Sequence, residues 1–278
     1  MTRPPAPEPL PAPVVDTHCH LDIAFDASAG PMDPAEAVAL AAAQGVTGIV
    51  QIGCDLPGAR WTVAALAEHD ELVGGVALHP NEAPRLAAVG RLDAALEEIE
   101  ALARSSDRVR VIGETGMDFF RTGEDGRAVQ EESFRAHIDM ARRLDKTLQI
   151  HDRDAHDDVL RILEDEGPPE RVVFHCFSGD AEMARYCSER GWFVSYAGPV
   201  TFRNAASTRK ALAATPLQNV LVETDAPFLT PHPFRGQANA SYLMPLTVRT
   251  MADVLERDLV EVCDALRTNA FRALGGEW

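Results

Sequence analysis

The sequence predicts an α/β protein built as one closed (β/α)8 barrel, and three observations predict it. Short apolar segments and amphipathic segments alternate eight times from Val14 onward. The strand-like segments are apolar on consecutive positions, the pattern of parallel strands covered on both faces. Metal-ligand residue types stand at the ends of the first, fourth, fifth, sixth and eighth of them: His18 and His20, Glu114, His151, His175 and Asp225. In a closed barrel all those ends surround one mouth. In an open doubly wound sheet, strands one and eight would often lie too far apart to share an ion.

Each element has a local reason. The strand candidates are 14–18, 48–52, 72–78, 109–114, 147–151, 172–175, 192–195 and 220–225. Helices are expected over 34–43 and 57–69, both opened by a proline that suits the first turn. Apolar residues at helical spacing mark 92–104, 128–144, 156–166, 180–190, 206–214, 243–255 and 259–273. Gly45, Gly167 and Gly191 stand where a helix should stop before the next strand. Nothing inside 14–278 suggests a linker, a repeat or a second domain. Residues 1–13 are proline-rich, lack the apolar stretch of a signal peptide and read as a disordered tail.

Composition narrows the function. A chain of 278 residues, 46% hydrophobic and 25% charged, has the make-up of an ordinary globular protein and can bury a large core without staples. The five cysteines form no CxxC pair, which argues against a zinc knuckle or disulfide framework and for a reducing cytoplasm. No apolar run approaches the ~20 residues that span a bilayer. The net charge of -17, with Lys146 and Lys210 as the only lysines, disfavours nonspecific nucleic-acid binding. It leaves room for a phosphodiester substrate held by a local metal site, because bound cations reverse the field around themselves.

Side chains on a strand alternate, so His18 and His20 face the same way while Cys19 turns aside. Imidazole nitrogen and carboxylate oxygen suit Zn, Mn, Co, Ni or Fe, and with more water Mg. Six such residues exceed the needs of one tetrahedral ion and suit two ions bridged by a carboxylate. His18 and His20 are expected to hold one, completed by Asp225 from the neighbouring strand eight; His151 and His175 hold the other; Glu114 lies between as the bridge. Asp225 is also a candidate general base. Around the mouth, His79 reads equally as a substrate contact or as loop structure, and Arg153, Ser178, Thr201, Arg235 and Asn239 are further candidates for substrate. Arginine can hold a phosphate through its fork of donors, or simply pair with a surface carboxylate. His69, His137 and His156 fall on helices and read as surface residues, and His232 as solvent-facing.

At these residues the chain resembles the TatD-type metal-dependent deoxyribonucleases of the amidohydrolase superfamily. The matching segments are Asp16-Thr17-His18-Cys19-His20-Leu21-Asp22, Ile112-Gly113-Glu114-Thr115-Gly116-Met117-Asp118, Gln149-Ile150-His151-Asp152-Arg153, Phe174-His175-Cys176-Phe177-Ser178-Gly179, Gly198-Pro199-Val200-Thr201-Phe202 and Glu223-Thr224-Asp225-Ala226-Pro227. The resemblance implies a TIM barrel with up to two divalent metals (Mg, Mn or Zn) and hydrolysis of nucleotides from the 3′ end of DNA, sometimes of RNA. It implies His18, His20, Glu114 and Asp225 for the first metal, Glu114, His151 and His175 for the second, and Asp225 as proton acceptor. Two segments depart from the family pattern. His79-Pro80-Asn81 stands where His-Pro-His is common, and 235–241 lacks the lysine-rich turn.

The expected function is therefore a cytoplasmic, metal-dependent phosphodiesterase acting on DNA ends, a monomer with no obligate protein partner and no membrane association. An amide, lactone or phosphotriester hydrolase on the same binuclear site is the alternative, although such enzymes often bridge their metals with a carbamylated lysine on strand four, where this chain has Glu114. A non-catalytic metal-binding scaffold is the third reading.

Overall fold

Eight parallel strands pair in chain order, β1 (Val14–Cys19), β2 (Val46–Gly53), β3 (Leu72–Val76), β4 (Val109–Asp118), β5 (Thr147–Arg153), β6 (Val172–Phe174), β7 (Phe193–Tyr196) and β8 (Val220–Val222). The computed structural model describes residues 3–26 and 30–278. Helices α1 (Pro34–Ala42), α2 (Leu56–Leu66), α3 (Glu82–Ala87), α4 (Leu92–Arg104), α5 (Glu124–Arg143), α6 (His156–Glu166), α7 (Ala181–Glu189), α8 (Ala206–Ala214), α9 (Met244–Leu255) and α10 (Leu259–Ala273) lie between and after the strands. The circle closes where β8 runs past β1. Asp225 N–H donates to His18 O at 3.0 Å, and His20 N–H donates to Ala226 O at 2.7 Å. Below that seam Asp16, fully buried, accepts from Thr224 N–H, the Thr224 hydroxyl and the Ser241 hydroxyl at 2.9, 2.6 and 2.7 Å. The result is a single-domain (β/α)8 barrel, as the alternation predicts.

The interior is apolar at its floor and polar towards its mouth. Val15, Val73, Val111, Val173, Phe193 and Leu221 pack together inside. Two residues further along each strand, on the same face, come Thr17, Gly75, Gly113, His175, Ser195 and Glu223. Gly75 has no room for a side chain, because a Cβ there would meet Ile52 Cδ1 at 2.5 Å. The larger apolar core fills the space between the strands and the helices. Among the described residues no helix is long and apolar enough to cross a membrane.

The elements differ from the sequence expectation in instructive ways. β4 runs on to Asp118, β6 ends at Phe174 and β8 at Val222, so His175 and Asp225 stand just beyond their strands. α5 begins one turn early, where Glu124 and Asp125 complement its unpaired N–H groups. The short helix α3 was not anticipated from the sequence. His137 is buried on α5 rather than exposed: its Nδ1–H donates to Ser133 O at 2.7 Å and its Nε2 accepts Leu78 N–H at 3.1 Å.

The amino-terminal segment also departs from expectation. Residues 1–2 lie outside the described residues, but 3–13 are laid against the barrel rather than disordered. Leu10 is buried and its N–H donates to Gln44 O at 3.1 Å. The Tyr242 hydroxyl donates to Pro4 O at 2.7 Å, and Arg249 donates to Pro9 O at 3.0 Å. Prolines cost this segment few backbone donors, so carbonyls accepting from the barrel satisfy it without a strand partner.

Candidate metal centre

Side chains from β1, β4, β5, β6 and β8 converge at the carboxyl-terminal mouth. Strand alternation brings His18 and His20 to one side of it, with their Nε2 atoms 3.2 Å apart. Glu114 Oε2 lies 3.4 Å from His18 Nε2 and 3.8 Å from His20 Nε2. Asp225 Oδ1 lies 3.5 and 3.3 Å from the same two nitrogens. Four ligand atoms at ~2.1 Å around a tetrahedral ion stand about 3.4 Å from one another, which is the spacing found here. The other carboxylate oxygen of Glu114 turns to the second half of the site. Glu114 Oε1 is 2.5 Å from His151 Nδ1 and 3.0 Å from His175 Nε2, and those two nitrogens are 3.5 Å apart.

The ring nitrogens give an independent test of whether a cation fits. His18 Nδ1 sits 2.7 Å from Gln149 Oε1, whose amide nitrogen is engaged with Thr17 O, so Nδ1 is the protonated nitrogen. His20 Nδ1–H donates to Ile52 O at 2.9 Å, and His175 Nδ1–H donates to Glu223 Oε1 at 3.1 Å. In all three rings the Nε2 lone pair is left aimed at the shared space. A histidine fixed through its second nitrogen by a carbonyl or carboxylate is the usual arrangement of a metal ligand. The residues present therefore fit the divalent ions that the donor set suggests.

The charge environment points the same way. Burial opposes ionisation of Glu114, yet His175, His79 and His151 hold its carboxyl well below the ordinary range. Burial works against a charged His20, but Asp225 and Glu114 raise it to about 9. His175 is raised against burial by Glu114 and Glu223, and His151 by Asp118 and Glu114. Carboxylates that favour imidazolium this strongly favour a divalent cation in the same space.

The mouth residues divide. His79 Nδ1 accepts Asn81 N–H at 3.1 Å, so its proton is on Nε2, 3.4 Å from Glu114 Oε1. Burial lowers its pKa, which keeps the ring neutral. His79 is thus built as a donor into the site. Arg153 lies 3.8 Å above the Phe120 ring and Arg235 4.6 Å above Phe202, and the described residues offer neither a carboxylate partner. Ser178 is exposed, its hydroxyl donating to Asp152 O at 2.9 Å. Thr201 is spent on Gly198 O and His232 N–H. Asn239 is not open to substrate as expected. It is buried, its amide donates to Thr224 O and Phe228 O, and its oxygen accepts Ala240 N–H, so it braces the Asp225 turn. His156, half-buried, pairs with Asp152 at 2.7 Å, while His232 is exposed.

Four neighbours escaped the sequence reading. Gln149 and Glu223 orient ligands, Asp118 Oδ2 stands 3.4 Å from His151 Nε2, and the Cys54 thiol donates to Glu114 Oε2 at 3.3 Å. The signal for the first two was present: each lies two positions before a ligand on the same strand face. Asp118 and Cys54 carried none, since only folding brings them to Glu114.

Comparison with known proteins agrees with this geometry. Residues 15–275 match the family described as TatD related DNase. A Mycobacterium tuberculosis protein described as the uncharacterized metal-dependent hydrolase TatD is 45% identical over 269 residues, covering 95% of this chain and 99% of that protein. The Bacillus subtilis uncharacterized metal-dependent hydrolase YabD is 34% identical over 92% of this chain and 97% of its own. Among solved structures, the TatD homologue YJJV from Escherichia coli superposes with a TM-score of 0.85 at 26% identity, covering 95% of this chain and 98% of that one.

Proposed function

The chain belongs to the TatD related DNase family of metal-dependent hydrolases, within the amidohydrolase superfamily, and on that premise we propose that it hydrolyses phosphodiester bonds at nucleic-acid ends, releasing nucleotides from the 3′ terminus of DNA. The observation that carries this reading is the division of Glu114. One carboxylate oxygen serves His18, His20 and Asp225, and the other serves His151 and His175. A pair of divalent ions (Mg, Mn or Zn) held on those two sets would supply a nucleophilic water and offset the charge of a phosphoryl group in displacement.

The chain's own residues supply the rest. Asp225, on a turn beyond β8, is partly open and takes the proton of the attacking water on its carboxylate. His79 donates its Nε2 proton to a phosphoryl oxygen. Arg153, Arg235 and Ser178 contact the substrate at the rim. A carbamylated lysine would mark the amide, lactone or phosphotriester alternative, but Glu114 occupies the bridge. Lys146 is instead spent on Val109 O at the opposite end of β4, and Lys210 is on α8. Free thiols at all five cysteines fit a reducing cytoplasm, where the chain would work as a monomer.

The test is release of mononucleotide from a 3′-labelled single strand by purified protein with Mg, Mn or Zn. Asp225→Asn is expected to lower the rate at least about 100-fold. An unchanged rate removes Asp225 as proton acceptor. Turnover of ester or lactone substrates with none of DNA or RNA would overturn the nuclease reading.

A further inference from the structure

The mouth carries more aromatic surface than the hydrolytic groups need. Phe120 is 63% exposed, two residues beyond Asp118, and Phe228 is 42% exposed, its N–H donating to Asp225 O at 2.9 Å. These are two of the few large apolar side chains that the described residues leave open to water. Two arginines lie over aromatic rings here. Arg153, two residues after His151, covers Phe120, and the backbone ties the pair, with Phe119 N–H donating to Arg153 O at 2.9 Å. Arg235, from the loop after β8, covers Phe202 from the loop after β7, and His232 N–H donates to Thr201 Oγ1 between those loops. The first pair stands above β4 and β5, the second above β7 and β8, so the metal centre lies between them.

Charge argues about what these pairs can do. Many other arginines are paired with carboxylates, as Arg135, Arg143 and Arg161 are. The net charge of -17 repels a polyanion at long range. Two free guanidinium groups neutralise two phosphates at most, which is little affinity by counterion release. An aromatic ring or a guanidinium plane, by contrast, stacks on any unpaired base whatever the field.

Resting on the nuclease reading above, we propose that Phe120 with Arg153 and Phe202 with Arg235 are base-stacking platforms flanking the metal centre, so that unpaired nucleobases, more than backbone phosphates, supply the affinity for a nucleic-acid end. A base lies on the outer face of the guanidinium or takes its place on the ring. The freed guanidinium then reaches the adjoining phosphate.

The experiment reads binding, not turnover, and so separates this inference from the nuclease assignment. Metal-loaded full-length protein is titrated against a fluorescent ten-nucleotide single strand made uncleavable by phosphorothioate linkages, and against an abasic strand of equal length. The base-bearing strand is expected to bind at least roughly tenfold tighter. Phe120→Ala and Phe202→Ala should each weaken it by roughly tenfold and leave the abasic strand within about twofold; Phe120→Trp should restore binding. The logarithm of affinity against that of salt should slope no more steeply than about -1.4, the value for two single-strand phosphates. Equal binding of the two strands, equal losses on both in the phenylalanine variants, or a slope of about -3 or steeper would overturn the proposal. Tight base-dependent binding without cleavage of any natural strand would keep the platforms and end the nuclease reading.

Discussion

At the scale of single residues, the centre depends on which nitrogen of each histidine is free. Gln149 Oε1 and Glu223 Oε1 hold the Nδ1 protons of His18 and His175, and Ile52 O holds that of His20. Without these acceptors each ring could rotate or exchange tautomers, and its lone pair would leave the shared space. Gln149→Leu and Glu223→Gln are therefore expected to weaken ion binding 10- to 100-fold, measured by titrating apo protein with Zn or Mn. Unchanged affinity in both variants would mean that packing alone orients the rings. The pair His18 and His20 was legible in the sequence because strand geometry fixes i and i+2 on one face. Asn239 was misleading for the converse reason: its polar atoms are consumed by Thr224, Phe228 and Ala240, and only the folded loop reveals it.

At the scale of elements, α5 shows how a polar residue becomes core. Its outward face pairs Arg135 with Glu131 and Arg143 with Asp139, while Phe134, His137, Ile138 and Ala141 face the barrel. His137 follows the apolar spacing of that face, and read by position alone it belonged inside. Burial pushes its pKa down from 6.5 to about 4, with the bond to Ser133 O opposing. Between those two values the unfolded chain binds a proton that the folded chain does not. Stability from a neutral His137 is thus complete above pH 6.5 and lost as the pH falls towards 4, by about 3 kcal/mol over the interval. Thermal melts from pH 7 to pH 4 should fall less steeply for His137→Asn than for the parent. Parallel curves would show that the imidazole titrates alike in both states.

At the scale of the whole molecule, closure and the amino-terminal segment act together. The β1–β8 seam is held by a few backbone bonds and by Asp16, and the ligands His18, His20 and Asp225 sit on it. The segment 3–13 passes outside, anchoring Leu10 beside Gln44 and Pro4 on Tyr242, which adjoins Ser241. Removing residues 1–13 forfeits burial of Leu10, worth ~2 kcal/mol, less the ordering entropy regained. At roughly 2–4 °C per kcal/mol for a chain of this size, the melting temperature should fall by a few degrees. A truncated protein melting with the full chain would make the segment a passenger.

The order of the strands, the type of nearly every helix and the six ligand-type side chains were determined by the sequence itself. Hydrophobic period and cap chemistry act over a few residues, and alternation sets which side chains share a face. What the tertiary structure alone decided is how polar atoms distant in the chain are spent. Glu114 faces two ways, His79 keeps its proton on Nε2, Asn239 turns inward, and a proline-rich segment gains partners 34 to 240 residues away. A hydrogen bond is settled by three-dimensional neighbours within about 3 Å, and no pattern along the chain encodes those neighbours.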